Sequence, residues 1–131
     1  MAPVDAGGRT GPEPGAGRGF SAVLRRGPAA AVVVLAGELD QDTAQPLRTA
    51  LADALSDGTP RIVVDCARLA FCDSTGLNIL LKARAAALEA GGRVELAALR
   101  PPVDRIFAVT GARDLFTVHP ELPPGLAGEE P

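Results

Sequence analysis

The sequence predicts a single small α/β domain, a mixed β-sheet of four to five strands carrying three main helices. Three observations lead there. Apolar runs of strand length alternate with stretches whose apolar residues recur at helical spacing, in the rhythm strand, helix, strand, helix, strand. The first two apolar runs flank Gly27-Pro28, a hairpin signal. At 131 residues, 47% apolar and 22% charged, the chain has the size and balance that bury one core. Strand-helix-strand units cross over right-handedly and leave parallel neighbours, so the hairpin adds one antiparallel member to a parallel sheet.

Each element has its own justification. "FSAVLRR" and "AAAVVVLAG" are the hairpin strands, and the second is apolar throughout, as a central strand would be. Asp42 with Gln45 three residues on resembles a capping box, and Pro46 falls in the tolerated first turn. Leu47, Leu51, Ala54 and Leu55 then make one stripe before Gly58 stops the helix. "RIVVD" is the next buried strand, from which "CARLAFCDSTG" leads into a second helix. Leu77, Leu80, Leu81 and Leu88 line that helix as far as Gly91-Gly92, with Arg84 and Glu89 off the stripe. "RVELA" alternates as a fourth strand, Pro101-Pro102 open a third helix carrying Val103, Ile106 and Phe107, and "LFTV" after Gly111 is a short last strand.

The domain is expected over residues 20–119. Residues 1–19 hold six Gly and three Pro with no apolar period, which predicts a flexible tail, and residues 120–131 read as a second, acidic Pro/Gly-rich one. With Glu121, Glu129 and Glu130 set aside the net charge of −3 vanishes, so no basic footprint for nucleic acid emerges. No apolar leader segment and no membrane-length apolar run occur, which points to a cytoplasmic protein. Cys66 and Cys72, five residues apart, fit neither a paired zinc pattern nor a disulfide framework and read as reduced thiols.

Most chemistries lack their parts. A nucleophilic serine needs a base, yet the only histidine, His119, stands beyond the last strand next to the C-terminal tail, and no G-x-S-x-G elbow occurs. "GAGRG" at 15–19 lies in the tail, and no P-loop exists, so no nucleotide cofactor is implied. Asp40, Asp65 and Asp73 could gather at one sheet edge, but strand-end aspartates commonly cap the next turn, which argues against a metal. What is left is "FCDSTGLNILL" at 71–81, where two hydroxyls sit between a carboxylate and a glycine at a helix start. Capping accounts for Asp73; Ser74 could also be a site of modification.

The stretch from "GELDQDTAQPLRTAL" through "DSTGLNILL" to "TGARDLF" resembles the STAS-domain anti-sigma factor antagonists of bacteria over about residues 20–119. The G-E-L-D loop, the D-S-T-G-L helix start, the glycine pair before a strand and the T-G turn after the last helix occur in the family's order. The resemblance implies that Ser74 is phosphorylated by the anti-sigma factor, itself an ATP-dependent serine kinase. The unphosphorylated antagonist binds that kinase and frees a sigma factor, as in stress responses, the phosphorylated form lets go, and a metal-dependent serine/threonine phosphatase resets it. A monomeric or weakly dimeric binding module is implied, not an enzyme.

Around Ser74 each residue has two readings. Asp73 holds the hydroxyl or is a plain N-cap. Thr75 is a secondary acceptor, ranked below Ser74 because it is β-branched and turned toward its own helix. Gly76 admits a kinase loop or only avoids a clash, and Asp40 supports docking or organises the helix-start turn. Asn78 and Cys72 depart from the residues common in relatives. The alternative to a phospho-switch is a STAS module that senses a small ligand or serves as an assembly unit in a signalling complex.

Overall fold

A computed structural model describes residues 19–126. The expected N-terminal tail lies outside the described residues except for Gly19. Strands β1 (Phe20–Arg26) and β2 (Ala31–Leu39) form the hairpin; α1 (Gln45–Ser56), β3 (Arg61–Cys72), α2 (Ser74–Glu89), β4 (Arg93–Ala97) and α3 (Pro101–Val109) follow, then a 3-10 turn at Ala112–Leu115 and β5 (Val118–His119). The five strands lie side by side in chain order, β1 antiparallel to β2 and every other pair parallel. Successive right-handed crossovers that all step the same way put their helices on one face. The main core forms there: Val33 and Leu35 of β2, Ile62 and Val64 of β3 and Val94 and Leu96 of β4 meet Leu47 and Leu51 of α1, Leu80 of α2 and Phe107 of α3.

Several local details differ from the sequence-based expectation. No capping box starts α1: Ala44 is the N-cap without a side-chain bond, and the turn before it is held by Asp40 and Thr43. The strand expected to end at Asp65 runs on to Cys72, pairing Ala36–Leu39 through two register shifts. Bulges turn Leu69 and Cys72 inward while Ala67, Arg68, Ala70 and Phe71 stay exposed, and this rhythm of three hides the strand from a search for alternation. On α2 the buried face is Gly76, Leu77, Leu80, Ala83 and Ala87, so Leu77 and Leu80 face inward as expected, whereas Leu81 is half-buried and Leu88 is 50% exposed. Gly76, Ala83 and Ala87 complete that face because the helix lies close to the sheet, so the leucines place the stripe at its start and lose it toward Leu88. Leu115 and Phe116 precede the last strand, which is only Val118–His119.

The second sheet face has its own cover. Ala30, Val32, Val63 and Ala97 cluster there with Leu126, and Leu122 packs against them. Residues 120–126, expected to belong to a tail, thus cross the open face. Beside them Glu95, 5% exposed, receives Arg61, Arg93 and His119. Burial by itself would raise the Glu95 carboxyl, but hydrogen bonds from Arg93, His119 and Arg61 outweigh it and hold the group down at about 2.

Candidate functional site

The site is built where β2 and β3 end together. Leu39 pairs with Cys72, and the Asp73 N–H donates to the Leu39 carbonyl at 3.2 Å. Asp40 and Asp73–Ser74 therefore leave adjacent strands at the same edge of the sheet. The sequence-based expectation that topology brings them together is met by this register.

The Asp40 loop is a closed turn. One carboxylate oxygen, Oδ1, accepts from the Asp42 N–H at 2.9 Å, the Thr43 N–H at 3.1 Å and the Thr43 hydroxyl at 3.1 Å. Thr43 Oγ1 also lies 2.9 Å from the Glu38 carbonyl and accepts from the Asp40 N–H at 2.9 Å. This is turn chemistry that a short carboxylate provides. Asp40 organises the loop and remains part-exposed beside the start of α2. The glycine of the same G-E-L-D stretch has a backbone reason: Gly37 sits at φ +101°, and a Cβ there would overlap the Gly19 carbonyl, which accepts from the Glu38 N–H.

The start of α2 separates the roles of its four residues. Asp73 is extended, φ −100° and ψ −170°, and its carboxylate accepts from the Thr75 N–H at 2.9 Å and the Gly76 N–H at 3.4 Å. It is an N-cap, and it makes no bond to the Ser74 hydroxyl. Ser74 is the first helical residue, exposed, and its hydroxyl has no hydrogen-bond partner among the described residues. Thr75 is half-buried. Gly76 is buried and faces inward, where a Cβ would stand 2.5 Å from Leu39 Cδ2 and 2.8 Å from Cys72 Sγ. The missing side chain lets the first turn seat directly on β2 and β3.

Other candidate residues fall elsewhere. Asp65 stands opposite Ala97, far back along β3, with its carboxylate on the Ala67 N–H. No cluster of three or more His, Cys, Asp or Glu side chains suited to a metal occurs among the described residues. His119 Nε2 is 2.9 Å from Glu95 Oε1, part of the ion cluster on the second sheet face. Both cysteines are free and buried. Burial, reinforced by the neighbouring Asp73 carboxylate, pushes the Cys72 thiol up to about 12, and burial also raises Cys66, so neither is a reactive thiolate.

One residue of the site escaped the sequence reading. Phe71, three positions before Ser74, is 47% exposed and stands opposite Glu38 on β2. An exposed aromatic three residues before an exposed hydroxyl is a contact-surface feature. Its signal was present, an aromatic in a chain only 3% aromatic, but the hidden bulges left its direction undetermined.

Residues 22–118 match the family described as "Mlab, STAS domain". This chain belongs to the STAS domain family. A curated relative, the anti-sigma-B factor antagonist of Staphylococcus aureus, is 30% identical over 87 residues, 66% of this chain and 81% of that protein. Among solved structures, an anti-sigma factor antagonist from Mycobacterium paratuberculosis superposes with a TM-score of 0.69 at 28% identity, covering 82% of this chain and 92% of that one. The Bacillus cell-fate determinant SpoIIAA in its phosphorylated form shares the fold at a TM-score of 0.63 and 23% identity, covering 82% of this chain and 96% of that one. These proteins are what the STAS domain here is similar to, and no helix among its described residues is long and apolar enough to cross a membrane.

Proposed function

We propose that this STAS domain is an anti-sigma factor antagonist whose docking is switched by phosphorylation of Ser74. The observation that carries the reading is the exposed, unpartnered Ser74 hydroxyl at the first position of α2, on the sheet edge from which the Asp40 turn also leaves. The partner is an anti-sigma factor with serine kinase activity; in its unphosphorylated form the antagonist binds it and frees the sigma factor. A metal-dependent serine/threonine phosphatase restores the hydroxyl. Thr75, half-buried one position on, is the lesser acceptor.

The physical basis is a change of charge at a fixed point. A phosphate brings a charge of about −1.5 to −2 to a spot where the partner met a neutral hydroxyl. The Thr75 and Gly76 N–H donors are already occupied by Asp73, so the phosphate points outward, toward whatever docks there. The helix dipole eases the added charge, and the domain stays folded. A loss of about 2.7 kcal/mol in the complex weakens binding hundredfold, well within what repulsion and desolvation of such a group supply.

The test is phosphorylation by purified anti-sigma kinases of the source genome with ATP, mapped by mass spectrometry. Phosphate is expected on Ser74, with Ser74→Ala binding the kinase constitutively and Ser74→Asp binding about hundredfold more weakly. Modification confined to other residues, or Ser74→Asp binding like the parent, overturns the reading. Sizing of the purified protein is expected to show a monomer or weak dimer.

A further inference from the structure

The two crossover helices α1 and α2 follow parallel strands, so they run parallel, side by side on the sheet. Between them is an open groove of about 290 Å³. Its floor is apolar: Leu51 and Ala83 are buried, while Leu55 and Ile79 are half-buried and still present apolar surface. Its rim is cationic. Arg48 on α1 and Lys82 on α2 are exposed, and neither side chain has an ion pair or hydrogen-bond partner among the described residues. Lys82 is also the single lysine of the chain.

On α2 the groove starts at Ile79, five residues after Ser74. Thr75, Ile79, Lys82 and Ala86 recur at i, i+4, i+7 and i+11, so they form one line along α2, beginning one residue after Ser74. Ser74 stands about 100° round the helix from that line, so a protein that covers Ser74 and reaches round α2 toward α1 enters this groove. Two parallel helices with an apolar cleft between them accept a third helix by ridge-into-groove packing. The unpaired cations specify its flanks, because a carboxylate at the rim gains attraction that a neutral or basic residue does not.

We infer that the groove receives an acidic amphipathic helix of the anti-sigma factor, its apolar stripe on Leu55, Ile79 and Ala83 and its carboxylates facing Arg48 and Lys82. The inference rests on the reading of Ser74 as a docking residue and adds a second contact that the phosphate does not touch. Ser74 supplies the switch, and the groove supplies partner selection.

The experiment is calorimetric titration of each purified anti-sigma kinase of the source genome into four proteins: the parent, Ser74→Asp, the double variant Arg48→Glu/Lys82→Glu, and Ala86→Trp, which blocks the cleft without changing charge. Thermal melts confirm that all four are folded. The double variant is expected to bind about tenfold more weakly, with a shallower salt dependence, and to remain a substrate at Ser74 when the kinase is in excess. Ala86→Trp is expected to weaken binding as well. Parent-like affinity and salt dependence in both groove variants, alongside a weakened Ser74→Asp, overturn the groove inference and leave the switch standing. Parent-like binding by Ser74→Asp, or no binding by any kinase, overturns the switch and the groove with it.

Discussion

Replacing Gly76 with alanine tests whether the first turn of α2 is seated as described. The new Cβ would lie 2.5 Å from Leu39 Cδ2, 2.7 Å from Leu39 Cγ and 2.8 Å from Cys72 Sγ, all inside the 3.4 Å at which ordinary contact begins. Leu39 would have to retreat by about 0.9 Å, yet it is fully buried and Cys72 nearly so, and close-packed interiors leave no such room. Overpacking of this kind costs about 1 to 3 kcal/mol, against a gain in helix propensity of at most about 1 kcal/mol. The expected net loss is up to about 2 kcal/mol, lowering the melting temperature by up to roughly 10 °C for a domain of this size.

The assay is a double-mutant cycle followed by urea and thermal unfolding. Leu39→Ala alone removes both leucine contacts and costs about 2 to 5 kcal/mol. In that background only the Cys72 Sγ contact remains, so Gly76→Ala should cost much less than in the parent, giving a coupling of at least about 1 kcal/mol. A Gly76→Ala protein more stable than the parent, or additive costs in the double variant, would refute the close seat of α2 on Leu39. Because that seat fixes where Ser74 points, Gly76→Ala should also slow the proposed phosphorylation of Ser74 even where the protein remains folded.

Three further outcomes are expected. Asp73→Ala removes the acceptor for the Thr75 and Gly76 N–H groups and should cost about 1 kcal/mol, whereas Asp73→Asn or Asp73→Ser should recover most of it in urea melts. Glu95 is held down at about 2 from an ordinary value of 4.5, so its contribution is complete above that ordinary value and is lost as pH falls toward 2. Stability measured from pH 7 to pH 2 should therefore decline by up to about 3 kcal/mol on this account, and Glu95→Gln, less stable at pH 7, should flatten that acid limb. Leu126→Ala should uncover the second sheet face and cost about 1 to 2 kcal/mol; an unchanged melting temperature would show that residues 120–126 contribute no cover.

Local information sufficed for much of the domain. The all-apolar run at 30–36, the stripe from Leu47 to Ala54 and the paired prolines opening α3 determine their elements through short-range periodicity and backbone stereochemistry, and alternation of strand with helix then determines a parallel sheet through the handedness of crossovers. The D-S-T-G stretch likewise announces a helix start with a hydroxyl at its first position, because capping is a matter of neighbouring residues. Tertiary structure decided what depends on residues distant in sequence. The bulged extension of β3 exists because β2 continues beside it, and it sets the outward direction of Phe71. The inward role of Gly76 depends on Leu39 lying beneath it, and Ala83 and Ala87, not Leu88, continue the buried face of α2 because the sheet lies close. The C-terminal cover and the Glu95 cluster needed a sheet face to lie on, and no periodicity within a dozen residues encodes a surface assembled from three strands.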